Sequence, residues 1–117
     1  MARFLAAGIL MLSFGAAAAR PTPGDVNVDR ARANRAGAEV TADAKVVDSE
    51  VQRVAALKVA WDLAVADGHA IDAGHFAKAH FEAMAAQRRA EDALRTARRT
   101  FEAAREQLRS DESKRST

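Results

Sequence analysis

The chain's three histidines, His69, His75 and His80, fall within the sixteen residues VADGHAIDAGHFAKAH, together with Asp67 and Asp72. Imidazole nitrogens and carboxylate oxygens are donors of a zinc-type site, and imidazole is also the side chain that exchanges a proton near neutral pH. Two ligands from one helix must be three or four residues apart to share a face. The histidine spacings are six and five, which sets His75 and His80 about 140° apart around a helix. His69, Asp72 and His75 are the one set able to converge, as three N/O ligands at a bend. Asp72, however, is placed to cap a helix, which commits its oxygen to backbone N–H groups. The pattern therefore assigns no metal ligand and predicts no cofactor, and His80 is read as a packed residue on an apolar face.

Catalysis finds less support still. The serines beyond the N-terminal segment, Ser49, Ser110, Ser113 and Ser116, lie outside the histidine stretch, and the chain has no cysteine. There is no glycine loop of the kind that cradles phosphate, and the carboxylates have basic neighbours at helical spacing. No catalytic or cofactor-binding residue is assigned, and the expectation is a protein that is not an enzyme.

The first residues, MARFLAAGILMLSFGAAAARPTP, carry Arg3, an uncharged apolar run from Phe4 to Phe14 and then small residues ending in Ala19. That is the layout of a secretory signal peptide, with Ala17 and Ala19 meeting the small-residue rule for cleavage after 19. Pro21 and Pro23 stop any continuing helix. The alternative is a retained membrane anchor, but 4–19 is shorter than the roughly 20 residues a span requires. The expected location is thus outside the cytoplasm, and the Ala- and Arg-rich composition points to a bacterium and its periplasm, or to secretion. With no cysteine, neither disulfides nor a lipid anchor on cysteine contribute.

From Arg20 onward there are 23 Ala among 98 residues, against nine Val, four Leu, three Phe and one each of Ile, Trp and Met. Net charge is near zero over this stretch, with 17 Lys and Arg against 16 Asp and Glu. Alanine is the strongest helix former, so the composition predicts an all-α chain of long, closely packed helices. Residues 20–38 hold both prolines and four arginines without an apolar period, and are read as a flexible leader.

A heptad pattern begins at Val40 and continues through Ala44, Val47, Val51, Val54, Lys58, Trp61 and Val65, broken only by Lys58. It predicts a helix over about 39–67, ended by Gly68 in the left-handed conformation, with a bend over 68–72. Asp72 as N-cap, with Ile71 and Phe76 as a hydrophobic staple, predicts a second helix over about 73–110. Its seam is Phe76, His80, Ala83, Gln87, Ala90, Leu94, Ala97, Phe101, Ala104 and Leu108, with Phe81 and Met84 widening it. Residues 111–117 are read as a disordered polar tail. GHFAKAHFEAMAA resembles the start of the second helix of a tetratricopeptide repeat over about 13 residues, but the preceding helix lacks that repeat's Trp, Leu and Gly pattern and no second copy follows.

So short a connection makes the helices antiparallel, giving a coiled-coil-like αα-hairpin. Facing positions should have residue numbers that add to about 141, pairing Trp61 with His80, Val47 with Leu94 and Val40 with Phe101. An alanine seam between two helices is marginal alone, so self-association, for example into a four-helix dimer, or packing on another helical envelope protein is expected. The second helix carries Arg88, Arg89, Arg95, Arg98, Arg99, Arg105 and Arg109, interleaved with acids in i,i+4 pairs such as Glu91 with Arg95 and Arg98 with Glu102. That face suits weak binding to an anionic surface, while export and scarce aromatics argue against nucleic acid. The function expected is that of an exported, non-enzymatic scaffold, assembly or accessory binding protein of the cell envelope. A membrane-anchored coiled-coil spacer is the alternative, and a histidine-containing metal-binding or pH-responsive protein the third reading.

Overall fold

The computed structural model describes residues 25–116, so the expected signal peptide and the start of the leader lie outside the described residues. Two helices make up the fold: α1, Val26–Ala66, and α2, Ala70–Ser116. They pack side by side along their lengths as an antiparallel, all-α hairpin, as the sequence pattern predicts. At 1.5 Å per residue, α1 is about 60 Å long and α2 about 70 Å.

The ends of α1 are set by local chemistry. Asp25 is the N-cap, its Oδ1 accepting from the Val28 N–H at 3.2 Å. At the other end, Gly68 adopts φ +74°. The Gly68 N–H donates to the Val65 carbonyl at 3.1 Å and the His69 N–H to the Ala64 carbonyl at 2.9 Å. These two bonds form a Schellman motif, which closes the helix on a glycine because a Cβ at that φ is strained.

Several boundary expectations are corrected. The leader, expected to be flexible over 20–38, is helical from Val26, because Asp25 caps it and Val26, Ala33 and Ala36 are buried against α2. The tail, expected to be disordered from 111, continues as helix to Ser116, and Asp111 is buried. Helix α2 starts at Ala70 rather than 73, since the Ala73 N–H already bonds to the His69 carbonyl at 2.9 Å. Asp72 is therefore not the N-cap; it sits in the first turn, where its charge complements the helix dipole. Ile71 is 77% exposed, so it does not form the expected staple with Phe76.

The predicted α2 seam faces inward at all ten positions, with Phe76, Gln87, Phe101 and Leu108 half-buried and the other six buried, and it extends outward to Ala73 and Asp111. Of the two residues expected to widen it, Met84 is half-buried but Phe81 is exposed. On α1, one half of the predicted seam is right: Val40, Val47, Val54 and Trp61 face inward, as do Val26 and Ala33 in the same series. The other half is displaced by one residue. Asp43, Glu50, Leu57 and Ala64 turn toward α2 in place of Ala44, Val51, Lys58 and Val65, of which only Ala44 retains partial cover. The displacement brings Leu57 inward and sends Lys58 to the surface, where it pairs with Asp62 at 2.9 Å and lies 4.8 Å from the Trp61 ring centroid.

The register agrees with the expectation. Trp61 meets His80 with ring centroids 5.6 Å apart, and near the open end Arg30 pairs with Glu112 at 3.4 Å. Between them the buried residues are mostly alanines: Ala36, Ala83, Ala90, Ala97 and Ala104, with Leu94 the one buried leucine. Small side chains let the helices approach closely. Phe101 lies against Gly37, where a Cβ would come within 3.1 Å of the ring.

Candidate functional site

The histidine stretch divides into two unlike places. His69 follows the Schellman glycine and His75 lies on the outer side of α2, both exposed. A shallow groove of about 260 Å³ beside the bend is lined by Asp67, His69 and Asp72 with Ala60, Leu63 and Phe76, but not by His75. The structure thus brings His69 and Asp72 to one groove and leaves His75 outside it. Among the described residues no three His, Asp or Glu side chains are grouped to hold a metal ion.

His80 is inside, as expected of a packed seam histidine. Its ring lies 5.6 Å from both the Trp61 and the Phe81 rings, and Trp61 and Phe81 meet edge-on at 5.8 Å. Its Nδ1 is buried without a hydrogen-bond partner. Three rings at these separations favour tilted and edge-to-face contact, which fixes the first turns beyond the bend.

A second place was not signalled by the sequence. Asp29, in the first turn of α1, is 3% exposed, and Asp111, near the end of α2, is 1% exposed. The two carboxyl groups lie at facing seam positions, and Asp29 Oδ2 is buried with no hydrogen-bond partner among the described residues. Two carboxylates are acceptors only, so a hydrogen bond between them requires a proton on one. Such a bond to Asp111 holds the Asp29 carboxyl above the ordinary aspartate range, with burial and the Asp111 charge adding to the effect and Arg32 opposing it. Arg32 Nη1 lies 3.3 Å from Asp29 Oδ1, and the Gln107 side-chain amide donates to Asp111 Oδ2 at 3.1 Å. In sequence terms the pair was hidden, because Asp29 fell in the expected leader and Asp111 in the expected tail. The signal that could have found them is the heptad itself, which reaches 29 from 36 and 111 from 104.

Between the ends, a trough of about 460 Å³ runs along one flank of the hairpin, floored by Ala36, Ala93 and Ala97 and edged by Glu39, Asp43 and Asp92 with Thr96 and Thr100. The arginine face of α2 is exposed and partly compensated, though not by the expected pairs. Arg95 bonds Asp92 at 2.7 Å rather than Glu91, and Arg109 bonds Glu106 at 2.7 Å. Glu91 accepts instead from Gln87 at 3.2 Å. Arg98 and Glu102 form no ion pair among the described residues, and Arg105 sits 5.4 Å from the Phe101 ring centroid.

The chemistry these places offer is binding and proton sharing. Ser110 stands thirty residues from His80, about 45 Å along the helix, and Ser49 is exposed on α1. Among the described residues no helix is long and apolar enough to cross a membrane. No family model, curated protein or solved structure matches the chain.

Proposed function

We propose that the chain is an exported, non-enzymatic helical hairpin that acts through its surface, as a scaffold, assembly or accessory binding protein of the bacterial cell envelope. The observation that carries this reading is the placement of large apolar side chains. Alanines fill much of the seam, while Val59, Leu63, Val65, Ile71 and Phe81 lie on the outside near the bend. Leu63 is 59% exposed. An outward apolar surface concentrated at one end of a rod is what a docking partner, including a second copy, covers. The arginine face of α2 adds weak affinity for anionic envelope surfaces.

Export rests on the sequence layout of the first 19 residues. The membrane-anchored spacer is the second reading, favoured by the shape: the ends of the described chain lie together, and the bend stands about 60 Å away. Mass spectrometry of the protein isolated from its native host separates the two. A chain beginning at Arg20 supports the exported reading, and an intact Met1 or Ala2 supports the anchored spacer. Cross-linking in the intact envelope, with a photo-reactive group at Leu63, then tests the docking role. Specific adducts are expected there, and none at all would overturn it.

A further inference from the structure

We propose that Asp29 and Asp111 form a proton-operated clasp, which holds the free ends of α1 and α2 together when the pair shares a proton and releases them when both carboxyls ionise. The clasp stands on the geometry of the open end and does not depend on where the protein acts.

Both carboxyls occupy seam positions, one turn from the last alanines and Leu108, and both are at least 97% buried. With one proton between them the pair carries a single negative charge, which Arg32 faces at 3.3 Å. Loss of that proton leaves two acceptors and places two like charges side by side out of water, beside Arg32. Other charged groups stand nearby on both helices. From α1, Asp25 adds negative charge and Arg30 is engaged with Glu112. From α2, Glu112 opposes Lys114 and Arg115 one turn further on, and Gln107 is neutral. Separation of the helix ends returns the ionised pair to water.

The direction of the pH effect follows from the Asp29 carboxyl titrating above its unfolded value. A group raised in the folded state binds its proton more tightly there. Its contribution is fully present below about pH 4, the unfolded value, and is lost as pH rises through the folded one. The open end is therefore tightest in mild acid. The bend end has no such pair, so the response is local.

The chain's lack of cysteine makes the test direct. Spin labels on Asn27→Cys and Ser113→Cys report the open end, and labels on Ala66→Cys and His75→Cys report the bend; all four residues are exposed. Pulsed electron–electron distance measurements between about pH 4 and about pH 8 should give a narrow open-end distance in acid that lengthens and broadens as pH rises, with the bend distance unchanged. In Asp29→Asn the amide donates to an ionised Asp111, so the open end should stay closed throughout. A wild-type distance that does not respond to pH overturns the clasp. So does a transition that survives in Asp29→Asn, or one in which both label pairs move together. Carboxyl carbon-13 titration of unlabelled wild-type protein gives an independent reading. An Asp29 midpoint above that of an ordinary aspartate is expected, and one at or below it contradicts the proposal.

Discussion

The two ends of this hairpin share one heptad geometry and hold it by different means. Residues 54–86, around the bend, contain six charged side chains in 33 positions; residues 87–115, leading to the open end on α2, contain fifteen in 29. At the bend, a Schellman turn and the Trp61, His80 and Phe81 rings fix the crossing, and large apolar groups are left facing outward. At the open end, alanines, the edge of Phe101 and a buried acid pair fill the seam, and the outside is solvated arginine and acid. Helix pairing thus leaves surface composition free. One end is closed by covalent connection and can present its apolar groups to a partner, whereas the other must satisfy itself.

The largest test of this contrast removes side chains from each region. Trp61→Ala, which takes away the bend's ring cluster, should cost about 3 kcal/mol, and Leu94→Ala in the middle should cost about 2–4 kcal/mol, both by denaturant unfolding. Phe101→Ala, half-buried near the open end, should cost less, about 2 kcal/mol. Equal small losses at all three would mean that the seam is not where stability resides.

How far these places were legible in the sequence differs between the ends for the same reason. The α2 seam could be read because Phe76, Leu94, Phe101 and Leu108 mark it with large apolar groups. On α1, Ala44, Val51 and Val65 looked better suited to the core than Asp43, Glu50 and Ala64, and only Lys58 warned otherwise. Antiparallel geometry decided the matter, since α2 presents Ala83 and Ala90 opposite Leu57 and Glu50, with room for a longer side chain. The helix over 26–38 was missed because its inward positions are Val26, Asp29, Ala33 and Ala36, among which Val26 is the one large apolar group to stand out against arginine-rich surroundings. Gly68 as the helix stop and His80 against Trp61 were legible, as each rests on one local rule.

Smaller effects sharpen the comparison. Asp29→Asn should melt higher than wild type at about pH 8 and show little advantage at about pH 4, because the wild-type pair weakens as pH rises above the unfolded aspartate value. Thermal melts at the two pH values check the sign. At the bend, Gly74 lies within α2 with open space where a methyl would stand, so Gly74→Ala should stabilise by about 0.5–1 kcal/mol. Calorimetry should resolve that gain. Arg99→Ala, on the solvated face, should change stability by less than about 0.5 kcal/mol.

That the bend carries the working surface is tested most directly by sedimentation velocity at micromolar concentration, comparing wild type with Leu63→Lys and Arg99→Glu. Wild type and Arg99→Glu should sediment as dimers or larger species and Leu63→Lys as monomer, with all three equally helical. A wild-type monomer that melts at a concentration-independent temperature, or association lost in Arg99→Glu and kept in Leu63→Lys, would contradict it.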